Sequence, residues 1–326
     1  MTAYHYPWLV ADIGGTNARF GLVTGPGGRP EAIAVLRGAD HEGLPEAVAA
    51  YLADHAGGVR PGAACLAIAG PVDGDRYRLT NAGWSGSVHD LGLPDASLLN
   101  DFEALALALP HLDGPDLAHV GGPQAPAKDV PDVKAVLGPG TGLGVAGLVP
   151  VDGGWLPVAS EGGHVSAPVA TELEAEVVAA LRRDGLAYVV AEHLLSGPGL
   201  VRLRRGLALV RGEDAPPLTA SQITARADDD PLCGQTVDMF CALLGGFAAN
   251  VALTLGARGG VYLGGGILPR VRERLLGSDF RLRFEATPTL DGYLAAIPTH
   301  LIVDSQPALT GAAAWLAQRS ATMIRT

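Results

Sequence analysis

The sequence has very little lysine. Lys128 and Lys134 are the only lysines among its 23 basic residues, and no run of basic residues offsets its 34 acidic ones. The resulting net charge of −11 argues against non-specific binding to nucleic acid. The sequence also lacks the G-x-x-x-x-G-K-S/T pattern of Walker-type nucleotide sites. If this chain binds phosphates, it needs backbone amides and a metal ion instead of a motif lysine.

Cysteine and long apolar runs are also scarce. The three cysteines, Cys65, Cys233 and Cys241, form no C-x-x-C pair and no metal-binding spacing. The N-terminal residues show no basic segment followed by an apolar core, so no signal peptide is expected and a cytoplasmic location is predicted. The longest apolar segment, residues 241–257, contains Asn250 and has no basic flank, which favours a buried helix over a membrane span.

What the sequence does contain is a series of strand and helix patterns that begins with three strands and continues with helix, strand and helix, which is not a simple alternation of one strand with one helix. The chain has 326 residues, which is long for a single core, and 48% of them are hydrophobic. We therefore expect two domains or lobes with sizeable cores. Strands are predicted over residues 8–12, 19–23, 31–37, 63–70, 96–101, 155–160, 259–267 and 299–305, with a strand, glycine turn and strand over 133–151. Helices are predicted over 44–56, 102–110, 171–183, 237–255 and 308–318, with a capping box at 219–222 opening another. Residues 110–132 are rich in proline and glycine and predict a boundary loop. The order of elements indicates an α/β protein.

Two glycine hairpins stand out. "DIGGTN" (12–17) and "GPGTGLG" (138–144) each offer successive backbone N–H groups in a turn, an arrangement that attracts anions without a cationic side chain. Either hairpin alone could be simply a turn between strands. Two similar hairpins, together with "YLGGGI" (262–267), favour a nucleotide phosphate site.

Several motifs together resemble the bacterial glucokinases. They are "DIGGTNARF", "LNDFEA", "LGPGTGLGVA", "SEGGHV", "AEHLLSGPGL" and "GGVYLGGGILPR", and they occur in order over nearly the whole chain. The resemblance implies an ATP-dependent hexose kinase with the actin-like ATPase (ribonuclease H-like) duplicated α/β fold, in two lobes with a central cleft. It also implies a small α/β lobe of residues 1–110 plus 300–326 and a large α+β lobe of residues 111–299. The breaks at Pro110 and Pro298 are consistent with that division.

The resemblance assigns the glycine motifs to ATP. It implies phosphate contacts by Gly14, Gly15, Thr16 and Asn17 in the first hairpin, by Gly140, Thr141 and Gly142 in the second, and adenosine contacts by Gly264, Gly265 and Gly266. Asp12 would contact Mg²⁺ through water, since one or two carboxylates plus waters suffice for that ion. The alternative for Asp12 is a carboxylate that caps its own turn.

The segment "LLNDF" resembles the family's catalytic segment. The resemblance implies that Asp101 accepts the proton of the sugar 6-hydroxyl and that Asn100 holds a neighbouring hydroxyl. An ordinary aspartate, with a pKa of roughly 4, is a weak base, which phosphoryl transfer tolerates because it depends chiefly on positioning and charge neutralisation. The alternative is a polar strand end that caps the next helix.

The remaining sugar contacts implied by the resemblance are Glu161, His164 and Glu192. Carboxylates, an amide and an imidazole together can match a ring of hydroxyls, each both donor and acceptor. A lone histidine in a glycine turn would more often be structural. The residues after His164 contain no cysteine, so the structural zinc of many repressor-related (ROK) sugar kinases is not expected. Because the first hairpin already begins at Asp12, the helix-turn-helix of that group's repressors is not expected.

The function predicted from the resemblance is phosphorylation of D-glucose at its 6-hydroxyl by ATP, giving glucose 6-phosphate for glycolysis. A kinase for mannose, fructose, glucosamine or an N-acetylhexosamine remains open, because the polar set fits hexoses in general. A non-enzymatic actin-like nucleotide-binding protein is a further alternative. Glucose and ATP are the expected partners, without nucleic acid or membrane, and a homodimer is the family-level expectation.

Overall fold

The computed structural model describes residues 4–79, 83–126, 131–288, 290 and 292–325, which form two compact units. The first unit comprises Met1–Asp113, Leu148–Ala159 and Asp304–Thr326, and the second comprises Gly114–Gly147 and Ser160–Val303. Lys128 lies outside the described residues. The division into lobes at about 110 and 300 stays a prediction.

The first unit contains a five-stranded sheet and a smaller three-stranded sheet, whose strands follow the fourth strand of the large sheet in sequence. Its strands are β1 (Trp8–Ile13), β2 (Asn17–Val23), β3 (Glu31–Arg37), β4 (Ala63–Ile68), β5 (Val72–Asp73), β6 (Arg76–Arg78), β7 (Ser85–Ser87) and β8 (Ala96–Asn100). Its helices are α1 (Leu44–Asp54), α2 (Asp101–Ala108) and α10 (Pro307–Arg325), with short 3-10 turns at Gly38–Asp40, Val88–Leu91 and Leu109–His111. The large sheet has the order β3-β2-β1-β4-β8, and the small one is β5-β6-β7.

Strands β1, β4 and β8 of the five-stranded sheet are parallel, and β4 is covered on both of its faces. β4 is parallel to β1 and to β8, and all six of its residues are buried. That explains its continuous run of small apolar residues, since a strand covered on both sides has no polar face. Helices α2 and α10 pack closely: a Cβ added at Gly311 would lie 1.7 Å from the carbonyl oxygen of Ala104. Only glycine permits that approach.

The second unit combines a six-stranded sheet with most of the helices. Its strands are β9 (Leu117–Gly121), β10 (Lys134–Pro139), β11 (Leu143–Val151), β12 (Gly154–Ser160), β13 (Val261–Leu263) and β14 (Thr299–Ile302). The part of β11 from Leu148 onward and all of β12 except Ser160 are assigned to the first unit. The helices are α3 (Glu172–Arg183), α4 (Ala191–Leu194), α5 (Gly197–Arg211), α6 (Ala220–Ala225), α7 (Pro231–Leu255), α8 (Arg272–Leu276) and α9 (Phe280–Glu285), with 3-10 turns at Gly114–Asp116, Gly162–His164 and Leu268–Val271. The sheet order is β12-β11-β10-β13-β14-β9.

Helix α7 forms the centre of the second unit's core. It begins at Pro231, after Asp230 accepts hydrogen bonds from the amides of Leu232 and Cys233, and ends at Gly256 in the left-handed conformation. By length and composition alone it could cross a membrane. However, 78% of its most apolar stretch is buried inside the protein, as in the core helix of a globular unit.

Most predicted elements are present, and the largest error lies in the segment predicted as a loop. Residues 110–132 contain β9, which pairs antiparallel with β14 at the edge of the sheet. The prediction was wrong because this strand is short and its pairing partner lies about 180 residues further along the chain. The structure also shows α5, which the sequence reading left without a secondary-structure assignment. The capping box predicted at Thr219 is confirmed: its side chain accepts from the amide of Gln222.

Candidate active site

The first group of predicted site residues lies at one edge of the five-stranded sheet. β1, β4 and β8 run parallel, with Ile13 opposite Ile68 and Ile68 opposite Asn100. Their carboxyl ends therefore meet at the same edge, which is where open α/β sheets bind ligands. The first glycine hairpin leaves this edge after Ile13, and Asp101 follows Asn100 there.

The first hairpin is a short turn whose backbone is held from both sides. The amide of Gly14 donates to the carbonyl of Asn17 at 2.9 Å, which closes the turn. The carbonyl of Thr16 accepts from the amide of Gly38 at 2.8 Å, so the start of the following 3-10 turn supports the loop. Gly14 and Gly15 are half-buried and Thr16 is exposed. The turn thus presents small residues and backbone groups at the sheet edge, as a phosphate loop requires.

Asp12 is held by an arginine on the neighbouring strand. Asp12 and Arg19 are directly opposite in the β1–β2 pairing, and Nη1 of Arg19 donates to Oδ2 of Asp12 at 2.9 Å. Among the described residues this is the hydrogen bond that the carboxylate forms, so the structure does not show Asp12 capping its own turn. Burial raises the pKa of Asp12, while the charge and hydrogen bond of Arg19 act to lower it. Arg19 therefore favours the ionised carboxylate in a desolvated position.

Asn100 and Asp101 connect β8 to α2. Oδ1 of Asn100 accepts from the amide of Phe102 at 2.9 Å, and Glu103 accepts from the amide of Asn100, a complete capping box. The capping alternative for Asn100 is therefore realised in the structure. It does not remove Asp101 from the edge, because capping fixes the direction in which the helix begins and so holds its first residue in place.

Asp101 is not an ordinary aspartate. Its burial, and secondly the negative charge of Asp12, raise its pKa to about 6. The sequence-based expectation of a pKa near 4 was wrong, because neither the burial nor the proximity of Asp12 could be read from the local sequence. A carboxylate with a pKa near 6 is a stronger base and is still largely ionised at neutral pH.

The second and third glycine motifs meet at one edge of the six-stranded sheet. β10 and β13 are parallel neighbours, and the amide of Gly264 donates to the carbonyl of Leu137. Gly265 has a φ of +83°, and a Cβ there would lie 2.4 Å from the carbonyl oxygen of Pro139. Both its conformation and its contact therefore require glycine. The structure thus brings together the two segments that the sequence assigned to phosphate and adenosine.

Glu161 and His164 follow the end of β12 and lie in and beside a 3-10 turn. Nδ1 of His164 is 3.7 Å from Oε2 of Glu161, and the two side chains are 62% and 93% exposed. This is a weak, solvent-screened pair. Such exposure leaves both side chains accessible to a ligand.

Glu192 lies in α4, next to the second hairpin. Its Oε2 accepts from the amide of Leu143 at 2.9 Å. The segments that carry Glu192 and His164 are joined as well, since the amide of Ala191 donates to the carbonyl of Val165. The three residues predicted to contact sugar therefore belong to neighbouring, hydrogen-bonded segments of the second unit.

Comparison with known proteins finds relatives of one family over nearly the whole chain. The Glucokinase family model matches residues 9–319. A glucokinase from Saccharophagus degradans is 48% identical over 325 residues, covering 97% of this chain and 99% of that protein. The chain belongs to the glucokinase family.

Solved structures of glucokinases have the same fold. The crystal structure of a glucokinase from an Antarctic psychrotroph superposes with a TM-score of 0.87 at 38% identity, covering 95% of this chain and 98% of that one. The glucokinase from Balamuthia mandrillaris, solved in complex with glucose, gives 0.75 at 22% identity, covering 96% and 93% of the two chains. The predicted family and the predicted actin-like α/β fold are confirmed.

Two features of this glucokinase-family site were not predicted. One is the ion pair between Arg19 and Asp12. The hairpin register places these two residues opposite each other, so counting outward from the glycine turn along both strands could have predicted the pair. The other is the hydrogen bond from Leu143 to Glu192, which joins residues 49 positions apart and has no local signal.

The acidic edge of the first unit suits a divalent cation. Within the described part of the chain, no group of three or more histidine, cysteine, aspartate or glutamate side chains converges as a metal centre. Asp12 and Asp101 nevertheless lie close enough for the charge of one to raise the pKa of the other. Mg²⁺ commonly binds through one or two carboxylates with water and substrate phosphates, so this pair fits the ion.

Proposed function

We propose that this protein transfers the γ-phosphoryl group of ATP to the 6-hydroxyl of D-glucose, forming glucose 6-phosphate and ADP. The observation that carries the proposal is Asp101, a half-buried carboxylate with a pKa of about 6 at a sheet edge beside the first glycine hairpin. Membership of the glucokinase family supports the same reaction.

In this proposal Asp101 is the general base. It receives the proton of the sugar 6-hydroxyl as that oxygen bonds to the γ-phosphorus and the bond from phosphorus to the bridging oxygen of ADP breaks. Phosphoryl transfer proceeds through a loose transition state, so most of the acceleration comes from positioning and charge neutralisation. Asn100 orients a neighbouring hydroxyl through its side-chain amide, since its backbone N–H is taken by Glu103.

The glycine segments bind the nucleotide. Gly14, Gly15, Thr16 and Asn17 of the first hairpin, and Gly140, Thr141 and Gly142 of the second, contact the phosphates. The amides of Gly14 and Gly140 donate within their own turns, to the carbonyls of Asn17 and Gly142, so the other amides of these turns are the phosphate donors. Gly264, Gly265 and Gly266 leave room for the adenosine against the backbone. Amide donors carry this work because the chain has almost no lysine.

Asp12 would hold Mg²⁺ through water, with Arg19 fixing one of its oxygens. When bound, the ion supplies neutralisation of the charge that develops on the transferring phosphoryl group. Asp12 thereby serves the reaction by its charge and its position, while Asp101 remains the proton acceptor.

Glu161, His164 and Glu192 bind the sugar hydroxyls. A site of carboxylates and an imidazole discriminates strongly among sugars once the bound sugar covers these side chains, because a wrong epimer then leaves a desolvated polar group without a partner. We further propose that the two compact units are the two lobes of the kinase, that the enzyme acts in the cytoplasm, and that it is a homodimer.

A hexose panel tests the proposal. Purified protein is incubated with Mg-ATP and each of glucose, mannose, fructose, glucosamine and N-acetylglucosamine, and ADP release is measured. We expect the highest kcat/KM with glucose. A tenfold preference for another hexose would overturn the glucose assignment, and ATP binding without sugar-dependent turnover would overturn the kinase itself.

A further inference from the structure

Gly142 lies in the second hairpin, which is predicted to bind phosphate, yet its nearest neighbour in space is Glu192, which is predicted to bind sugar. A Cβ added at Gly142 would lie 2.5 Å from Oε2 of Glu192 and 3.2 Å from its carboxyl carbon. Gly142 has no left-handed backbone conformation that would by itself demand glycine. What restricts this position is therefore the space that the Glu192 carboxylate occupies.

The same carboxylate oxygen is bonded to the hairpin. Oε2 of Glu192 accepts from the amide of Leu143, the residue after Gly142, and among the described residues it is the only Glu192 carboxylate oxygen with a hydrogen bond. A bond from a neutral N–H to a carboxylate is stronger than one between neutral groups. The hairpin thus fixes one oxygen of Glu192 and leaves the other for a ligand.

The segment that carries Glu192 is attached to the turn at a second point. The amide of Gly197, the first residue of α5, donates to the carbonyl of Gly140 at 2.8 Å. The hydroxyl of Ser196 donates to the carbonyl of Glu192 at 2.7 Å, which connects the two attachment points. The turn 140–142 is therefore held on both sides by residues 192–197.

The turn also supports the other sugar-binding segment. A Cβ at Gly163, between Glu161 and His164, would lie 2.3 Å from the carbonyl oxygen of Leu143. The backbone of Leu143 thus contacts both predicted sugar-binding segments, one through its N–H and the other through its carbonyl group. The positions of the carboxylates predicted to bind the sugar therefore depend on the conformation of this turn.

We propose that Gly142 is a positioning residue for sugar affinity, acting through Glu192, rather than only a phosphate contact. This inference rests on the proposed function, since it takes Glu192 as a sugar ligand. A side chain at position 142 displaces the end of a flexible glutamate and not a backbone group, so the protein can fold around the change. The cost falls on the carboxylate, which loses its bond to Leu143 and its place in the sugar site.

The test compares Gly142→Ala with Gly140→Ala in the same turn. A Cβ at Gly140 meets no atom within 4 Å, so this variant changes the turn without reaching Glu192. Glucose affinity is measured by titration calorimetry without nucleotide, so that turnover plays no part. We expect Gly142→Ala to weaken glucose binding by at least about tenfold more than Gly140→Ala, the typical cost of losing a charge-assisted hydrogen bond. Equal effects of the two variants would overturn the inference.

A second measurement needs no sugar. Amide exchange at Leu143, followed by NMR in the ligand-free protein, reports the bond to Glu192 directly. Faster exchange in Glu192→Ala and Gly142→Ala, with slow exchange kept in Gly140→Ala, supports the inference. Unchanged exchange in the first two variants would overturn it. If the unaltered protein bound no glucose, the proposed substrate would fail, while the exchange result would still decide whether Gly142 acts through Glu192.

Discussion

Replacing Asp101 with asparagine is expected to lower turnover sharply and at the same time to stabilise the ligand-free protein. Asparagine keeps the shape of the side chain and can still accept from the amide of Phe102, which donates to Oδ1 of Asp101 at 3.1 Å. It cannot accept the proton of the sugar. A general base typically contributes a factor of about 10² to 10⁴, so kcat should fall by at least about a hundredfold.

The stability change follows from the raised pKa. An aspartate in an unfolded chain has a pKa of about 3.9, whereas burial and the charge of Asp12 raise that of Asp101 to about 6 in the folded protein. Between those two values the folded state binds more protons than the unfolded state, so stability falls as pH rises through this window. Two pKa units correspond to about 3 kcal/mol as an upper bound, and partial exposure to solvent makes about 1 to 3 kcal/mol the reasonable expectation.

The assay is unfolding of the ligand-free protein by urea at pH 4 and pH 7. Asp101→Asn should be more stable than the unaltered protein at pH 7 and equally stable at pH 4, where the native carboxyl is already protonated. Asp73→Asn, which changes an exposed carboxylate in the small sheet, is the matched control and should alter neither stability nor turnover. An Asp101→Asn variant that is less stable at pH 7, or that retains near-normal turnover, would refute the reasoning.

Three further predictions concern stability. Arg283 donates to both carboxylate oxygens of buried Glu174 at 2.6 and 3.2 Å. Arg283→Met should therefore lower the free energy of unfolding, measured with urea, by about 3 to 5 kcal/mol, and a decrease below about 1 kcal/mol would contradict a structural role. Gly311→Ala should sharply lower the melting temperature because its Cβ meets the carbonyl of Ala104 at 1.7 Å, and an unchanged melting curve would contradict the helix contact. Burial, with the charges of its neighbours, lowers the pKa of His300 to about 4. As pH falls below about 6.5, this histidine is therefore protonated in the unfolded chain before it is protonated in the folded protein, and the folded protein loses stability. His300→Phe should weaken this loss of stability between pH 7 and pH 4, and an unchanged pH dependence would contradict the prediction.

The fold was largely predictable because its strands carry strong local signals. The fully apolar pattern of β4, the hairpin around Gly14 and Gly15, and the proline in the first turn of α1 each point to the observed element. β9 could not be found in this way, because its pairing with β14 is decided by a segment far along the chain. Local composition pointed to a loop, and the tertiary pairing overrode it.

For the candidate site, the sequence predicted the motifs but not the contacts between them. Parallel strands bring Asp101 and the first hairpin to one edge, which follows from strand order once that order is known. The pKa of Asp101 depends on burial and on Asp12, and the role inferred for Gly142 depends on where Glu192 lies. These are three-dimensional facts, and a glycine looks the same in the sequence whether it binds a phosphate or makes room for a carboxylate.

The proposed reaction depends most on where Asp101 lies relative to the sugar. A crystal structure of the protein with bound glucose measures this directly. We predict a carboxylate oxygen of Asp101 within about 3 Å of the glucose O6 atom, the reach of a hydrogen bond to the group it deprotonates. A well-ordered glucose whose O6 faces another residue, with Asp101 turned away from it, would exclude Asp101 as the base.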